Sequence, residues 1–380
     1  MKISLIIDGN YLLYKNLYIL KKLRRIQDLP ELLLNDLNKL SKSFSFNEIY
    51  FVSDSREGNW RKTEYKEYKG TRVKDKSIDW DFVYKTYDEF KDQIKSKKNV
   101  KFLELAGLEG DDFIGYIVKQ GNKNKKSFII LSSDGDLQQL LKYDLTDKFI
   151  NIQWNYKFND ERVYLPQNYQ LAVEEIANTV NENIFELDNS AEFIKFIQDL
   201  LHRTKIKSIS SEEVSVCKII EGDSGDNIPS VIKIKDGKID PEEGRGIGKE
   251  GAKTVYKLYK EIHPEPINIE SNEFIDNLTE VIMYYKKLKG TTFKEYVKEN
   301  LEFNRKMTLL NPIYIPTRIF DNMKSHYNDI DNRVIEYEII DLDAKLEEDD
   351  FFNDVKEDIP ENFRMEDEGE TFDPDSFWEL

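Results

Sequence analysis

The residues with the most chemical potential are carboxylates, and their placement is regular. Between Val100 and Leu141 two short apolar runs, VKFLEL and SFIILSS, are each followed by an acidic turn. The first turn is Glu109-Gly110-Asp111-Asp112 and the second is Asp134-Gly135-Asp136. Apolar residues at helical spacing come next: Phe113, Ile114, Ile117 and Val118 in one case, Leu137, Leu140 and Leu141 in the other. The pattern predicts strand, acidic turn, helix, twice over. If the two strands are parallel neighbours, both turns lie at one edge of a sheet, where open α/β folds place ligands. Crowded carboxylates resist ionisation unless a cation sits among them. Metal-dependent chemistry is the expectation. A single Asp in such a turn is more often only a helix cap, but five acids in two turns exceed what capping needs.

Other elements must bring further carboxylates to the same edge. KISLIID, residues 2–8, reads as a buried strand ending on Asp8, and NEIYFVSD, residues 47–54, as another ending on Asp54. A helix is predicted from Tyr11 to Arg25, with Leu13, Leu17, Leu20 and Leu23 on its apolar side, and a second follows Pro30. Strands separated by helices predict an α/β fold with a mainly parallel central sheet flanked by helices. The ends of all four strands then converge.

Residues 55–78 interrupt this alternation with 8 basic and 4 acidic side chains among Trp60, Tyr65 and Tyr68. On a helix, Lys62, Lys66, Lys69 and Arg72 fall near one face. A solvated basic face would look the same. The interleaved aromatics and the direct exit from Asp54 favour an arm that grips phosphates, with Arg61 and Tyr68 included in the candidate nucleic-acid contacts. FINIQW and ERVYL, within 148–165, read as further strands, and 166–212 as a helical insertion. VCKIIEGDSGDNIPSV then carries Asp223 and Asp226, followed by a long connector over 232–244. GRGIGKEGAKTVYKLYKE, residues 244–261, contains Gly246, Gly248 and Gly251 in a dinucleotide-like spacing, but no strand–helix–strand unit surrounds it. A helix–hairpin–helix-like turn fits better, its amides and helix N-terminus holding a DNA phosphate with Lys249, Lys253 and Lys257 alongside. Residues 273–310 read as helical, ending near Asn311-Pro312.

Composition narrows the class. A chain of 380 residues with 39% hydrophobic content can hold a sizeable core and two subdomains with appendages. One cysteine, Cys217, excludes a disulfide framework and sits in an apolar helical pattern. His202, His263 and His326 match no ligand spacing. No apolar run is long enough to span a membrane, and KISLIIDGN is too short and too polar for a signal peptide. A cytoplasmic protein is expected, in the host cytoplasm if phage-encoded. The net charge of −17 looks adverse to nucleic-acid binding, but residues 341–380 account for −14 of it. Local patches therefore matter more than the total. That tail reads as disordered, with Phe377, Trp378 and Leu380 a candidate docking motif.

Taken together, these residues resemble the 5′ nuclease superfamily of flap endonucleases and 5′–3′ exonucleases, most like the T-even phage ribonuclease H type. The likeness rests on Asp8 in IIDGN, Asp54 in FVSDS, Glu109 and Asp111 in LEGDD, Asp134 and Asp136 in SSDGDLQQL, and Asp223 and Asp226 in GDSGDNIP, in that order. YKGTR, residues 68–72, matches the family's arch signature. Gly110 stands where the family usually has Ala, and the connector before Gly246 is longer than in bacterial members.

The resemblance implies a PIN-like core over 1–165 with a helical arch at 55–78. It also implies a helical DNA-binding subdomain over 213–325, with its turn at 244–261. It implies two Mg²⁺ ions, for which Mn²⁺ can substitute. Asp8, Asp54, Glu109 and Asp111 would hold one and Asp134, Asp136, Asp223 and Asp226 the other, with Lys69, Arg72 and Asp134 as catalytic residues. The implied activity is two-metal hydrolysis of DNA or RNA–DNA phosphodiesters at flaps, nicks or RNA primers, in primer removal during phage-type replication or repair. A monomer that meets a sliding clamp or single-strand binding protein through its tail is the implied partner scheme. Two alternatives stand beside it. A PIN-type ribonuclease shares the acidic edge, but is usually shorter and lacks the arm and the glycine turn. An inactive structure-specific DNA-binding protein does not need eight carboxylates.

Overall fold

A computed structural model describes residues 2–43, 48–97, 100–144, 146, 149–156, 161–167, 169 and 204–332. Most of the 166–212 stretch and the acidic tail, with its docking motif, lie outside the described residues.

The chain opens with strand β1 (Lys2–Asp8), helix α1 (Gly9–Lys22), helix α2 (Leu29–Ser43) and strand β2 (Glu48–Val52). Next come a short helix α3 (Trp60–Glu64), helix α4 (Trp80–Lys95), strand β3 (Val100–Leu103), helix α5 (Gly110–Lys123) and strand β4 (Lys126–Leu131). Strands β5 (Tyr143–Asp144), β6 (Phe149–Asn155), β7 (Arg162–Pro166) and β8 (Lys205–Ile209) follow, then helix α6 (Ser211–Glu221). A small hairpin, β9 (Ile234–Lys235) and β10 (Lys238–Ile239), precedes helices α7 (Lys249–Ile262), α8 (Asn272–Tyr285), α9 (Thr291–Thr308) and α10 (Thr317–Asp331).

Among the described residues the main sheet runs β3-β2-β1-β4-β6-β7-β8, with β5 paired to β6. The first five strands of that order are parallel, whereas β7 is antiparallel to β6. The registers Asp8↔Val52, Val52↔Leu103 and Ile7↔Leu131 bring the carboxyl ends of β1 to β4 level. The near-continuous apolar runs of β1 and β4 follow from burial on both faces. On one side Leu5, Ile7, Phe51 and Ile129 pack under α1, α2 and α4. On the other Ile6, Val52, Ile130 and Phe128 pack under α5 and α10. A third cluster, built on Val216, Ile220, Ala252, Leu278, Ile282 and Leu301, is the core of the later helices.

Four expectations need correction. Strands β3 and β4 are parallel but not neighbours; β2 and β1 lie between them. The second acidic turn opens only a 3-10 segment, Asp136–Leu140, because β5 must turn back onto β6 almost at once. The basic arm is not one helix: α3 ends at Glu64 and turns carry the chain onward. The end of the presumed helical insertion is strand β8, which pairs with β7 and extends the sheet. Helix α10 also returns to the sheet, packing Met323, Tyr327 and Ile330 into its second face.

That return is pinned at the edge opposite the acidic turns. Lys101 Nζ reaches Asp331 Oδ1 (2.7 Å) and Glu48 Oε1 (3.1 Å), Lys126 Nζ reaches Glu48 Oε2 (2.9 Å), and Tyr50 donates to Asp331 Oδ1 at 2.7 Å. Burial pushes both carboxyls up, but Lys126 and Lys101 hold Glu48 below its ordinary 4.5, and hydrogen bonds from Lys101 and Tyr50 hold Asp331 below 3.8. A carboxyl depressed in the folded state stabilises the fold above its unfolded value, and that contribution is lost as pH falls through the folded value. Asp331→Asn is therefore expected to lower stability at neutral pH and to flatten its decline below about pH 4. Urea melts at pH 7 and pH 3 check this; parallel curves for variant and wild type would refute the latch.

Candidate active site

Each acidic turn is held by the element that delivers it. Asp8 caps α1, its Oδ1 accepting from Tyr11 N–H (3.0 Å), while Oδ2 accepts from Ser132 Oγ (2.7 Å) at the end of β4. Asp54 Oδ1 accepts from Gly110 N–H at 2.6 Å, tying the β2 end to the start of α5. A Cβ at residue 110 would stand 3.1 Å from that same oxygen, so glycine permits the close approach. Glu109 stands at the N-cap position of α5 but makes no capping bond. Its Oε1 meets Lys69 Nζ at 2.5 Å, and its Oε2 accepts from Tyr68 Oη (2.8 Å) and Arg61 Nη1 (3.0 Å). Asp134 Oδ1 accepts from Asp136 N–H (2.7 Å), and Gln153 Nε2 on β6 holds the Asp134 carbonyl (2.6 Å).

Asp223 and Asp226 come from the loop after α6. Gly222, at φ +74°, makes that loop possible: a Cβ there would lie 2.4 Å from the Ile228 and Pro229 carbonyls. Asp223 and Ile228 then exchange backbone bonds, and Asp223 Oδ1 accepts from Asp226 N–H at 3.1 Å. Asp226 Oδ1 receives Arg72 Nη2 (2.6 Å), its Oδ2 receives Tyr68 Oη (2.6 Å), and its carbonyl receives Lys69 N–H (3.0 Å). The arm is thus tied to both acidic sets.

The electrostatics divide these carboxyls. Burial and the neighbouring charges of Asp134, Asp8, Asp54 and Glu109 push Asp111 well above the usual carboxylate range. Burial and the Glu109 charge push Asp54 up to about 6. Burial likewise raises Asp8. Glu109 goes the other way: burial pushes it up, but Lys69 and Arg61 outweigh that and hold it at about 2. Lys218 on α6 bridges the second set, reaching Asp136 Oδ1 at 2.6 Å and pairing with Asp223. Around these groups lies a small open cleft whose acidic wall includes Glu109, Asp111, Asp136, Asp223 and Asp226, with Met307 and Leu310 on its apolar side.

Oxygen donors with no nearby His or Cys are the chemistry hard divalent cations prefer, and the raised Asp54 and Asp111 are carboxyls whose ionised forms a cation would favour. The donor set fits such ions. Among the described residues, no three His, Cys, Asp or Glu side chains stand at coordination spacing as they are. Instead Lys69 lies between Glu109 and Asp226, Lys218 lies between Asp136 and Asp223, and Arg72 pairs with Asp226, so that cationic side chains balance the acidic charge.

Two candidate DNA contacts are placed elsewhere. Arg61 is buried: its guanidinium makes a two-pronged pair with Asp112 (2.8 and 2.9 Å), and its Nε donates to the Met307 carbonyl (2.9 Å). Trp60 Nε1 adds a bond to Asp112 (2.9 Å). Tyr68 is also buried, its hydroxyl spent on Glu109 and Asp226. Neither presents a surface to a phosphate, because both link the arm to the site from within. Lys62 and Lys66 remain exposed, as do Gly248 and Lys249, while Lys253 pairs with Glu250 at 3.0 Å. Asp112, the one acid of the first turn outside the expected metal-ligand set, is the partner of Arg61. Sequence reasoning missed Lys218, five residues before Asp223 in the last turn of α6, and Gln153, an amide inside an apolar strand.

Residues 3–168 match the family described as 5′–3′ exonuclease, N-terminal resolvase-like domain. A 5′–3′ exonuclease of Mycoplasmopsis pulmonis is 24% identical over 304 residues, 80% of this chain and 82% of that protein. The similarity is to the 5′ nucleases, and the family match covers residues 3–168 of the 380. The ribonuclease H of Enterobacteria phage T4 is 27% identical over 119 residues, 30% of this chain and 39% of that one. Among solved structures, the bacteriophage T5 flap endonuclease in a complex with DNA and metal ions aligns with a TM-score of 0.53 at 16% identity, covering 87% of this chain and 99% of its own. The T5 protein co-crystallised with metal ions aligns at 0.51 and 17%. These structural likenesses are of fold alone, and at 87% of this chain they include the later helices. Among the described residues no helix is long and apolar enough to cross a membrane.

Proposed function

We propose that this chain is a metal-dependent, structure-specific 5′ nuclease that hydrolyses phosphodiesters at 5′ flaps, nicks or RNA primers. The observation that carries the reading is the meeting of three elements at one sheet edge: the strand-end carboxylates, the arm residues Lys69 and Arg72, and the Asp223–Asp226 loop. Asp8, Asp54, Glu109 and Asp111 would hold one divalent cation, and Asp134, Asp136, Asp223 and Asp226 a second. When bound, such ions supply an activated water and positive charge for the transferring phosphate. Lys69 and Arg72 are the part-exposed cations that the arm brings to the carboxylates, and they support the charge that develops on a scissile phosphate. The Lys69 ammonium stays protonated, since Glu109 and Asp226 outweigh the effect of its burial. Tyr68 and Arg61 keep Glu109 oriented while Lys69 exchanges it for substrate. The arm would read strand geometry, because it exposes Lys62, Lys66, Lys74 and Lys76 and no Asn or Gln amide that could read a base.

Mg²⁺-dependent cleavage of labelled flap, nicked and RNA-primed duplexes tests the reading. Short 5′ products are expected, and wild-type protein inert on all three with Mg²⁺ or Mn²⁺ would overturn it. Lys69→Ala is expected to slow single-turnover cleavage by about 10²-fold or more. An unchanged rate would remove the arm from the mechanism.

A further inference from the structure

The loop between α8 and α9 carries a cationic surface that no part of the site uses. Residues 284–294, YYKKLKGTTFK, contain Lys286, Lys287, Lys289 and Lys294 and no acid, in a chain of net charge −17. The loop is built, not loose. Lys287 N–H bonds the Tyr284 carbonyl (3.0 Å) and Leu288 N–H the Met283 carbonyl (2.9 Å). Leu288 packs on the helical core. Lys287 takes φ 54°, and Gly290 takes φ 104°. With Leu288 anchored inward, Lys287 and Lys289 are left exposed, and neither makes an ion pair among the described residues. Tyr284 is 73% exposed, an aromatic ring presented to solvent beside them.

The loop abuts the glycine turn. Lys286 Nζ lies 3.4 Å from the Gly246 carbonyl, and the Tyr285 hydroxyl stands against Gly251. Burial alone lowers the Lys286 pKa, with no carboxylate opposing it, so an anion there would gain a charged partner. The turn in turn connects to the site: Ile247 N–H donates to Ser230 Oγ (2.8 Å), and Ser230 follows the Asp223–Ile228 ladder by two residues. A continuous path therefore runs from the acidic edge through the glycine turn to this loop.

We propose that Lys286, Lys287 and Lys289, flanked by Tyr284, form a second backbone clamp for the duplex arm of a nucleic-acid substrate. The clamp rests on the nuclease reading and adds a contact farther from the cut than the glycine turn. A built loop with one exposed aromatic ring, Tyr284, and three cations suits regular phosphate spacing. A single-strand platform would instead present several stacking faces.

Binding of the full chain to labelled blunt duplexes, followed by anisotropy across a salt series, tests the clamp without requiring cleavage. For Lys286→Gln/Lys287→Gln/Lys289→Gln, the slope of log Kd against log salt on a duplex of about thirty base pairs should fall by roughly two to three. Affinity at about 0.15 M salt should weaken tenfold or more. The deficit should shrink on a duplex of about ten base pairs, one helical turn. The charge reversal Lys287→Glu/Lys289→Glu should deepen it. An unchanged slope on the long duplex in both variants overturns the clamp, as does an equal loss on a single-stranded oligonucleotide, which would assign the loop to single strands. Flap cleavage by the wild type judges the nuclease reading separately.

Discussion

Asp134→Asn should abolish cleavage, by about 10³-fold or more, while leaving substrate affinity nearly intact. The geometry makes this a clean substitution. The Asp134 side chain accepts from Asp136 N–H through Oδ1, and an Asn oxygen can accept the same bond. The Gln153 bond goes to the Asp134 carbonyl, which the substitution does not touch. What is lost is one negative charge beside Asp111, whose carboxyl is pushed upward by burial and then by Asp134. The fold should keep its melting temperature, and single-turnover rates should collapse at saturating Mg²⁺. Anisotropy on a flap substrate should give a Kd within about threefold of wild type. Full activity in Mg²⁺ would remove Asp134 from the site.

The second large effect is expected in stability. Arg61 and Asp112 are both buried and joined by two bonds, with Trp60 and the Met307 carbonyl completing their partners. Removing one member strands the other charge in the interior, which costs about 3–5 kcal/mol. Arg61→Ala and Asp112→Ala should each approach that loss in urea melts. The double replacement Arg61→Met/Asp112→Leu should recover most of it, since two apolar side chains leave no orphan charge. Arg61 also bonds Glu109, so surviving single variants should cleave more slowly than their folded fraction predicts. Losses below about 1 kcal/mol in both single variants would show that the pair does not brace the arm.

Much of the scaffold could be read along the chain because its cause is local. Parallel strands buried on both faces are continuous apolar runs, and helices between them repeat at their own period, so β1, β2, β3 and β4 were legible with their acidic ends. The glycine turn before α7 was legible for the same reason. The arm was not. Its alternating Lys and Tyr residues fit a helix as well as they fit turns, and only the bonds of Tyr68 and Lys69 to residues more than 150 positions away select the turns.

The order of strands was equally hidden, since parallel pairing is set by crossover packing and not by residue type. Asp112 shows the limit most plainly. In the sequence it is one more acid in an acidic turn; in the fold it faces inward on α5 and meets Arg61, 51 positions away. Arg61 reads as a phosphate contact because it lies in a basic arm, yet burial gives it a structural partner. Lys218 became visible only when α6 laid its ammonium between Asp136 and Asp223. The sequence by itself determined which carboxylates could gather and at which edge, because strand periodicity and turn chemistry act within a few residues. Only the tertiary structure decided which cations balance them and which acids serve the arm instead of the site, because ion pairing depends on distances closed by packing between remote segments.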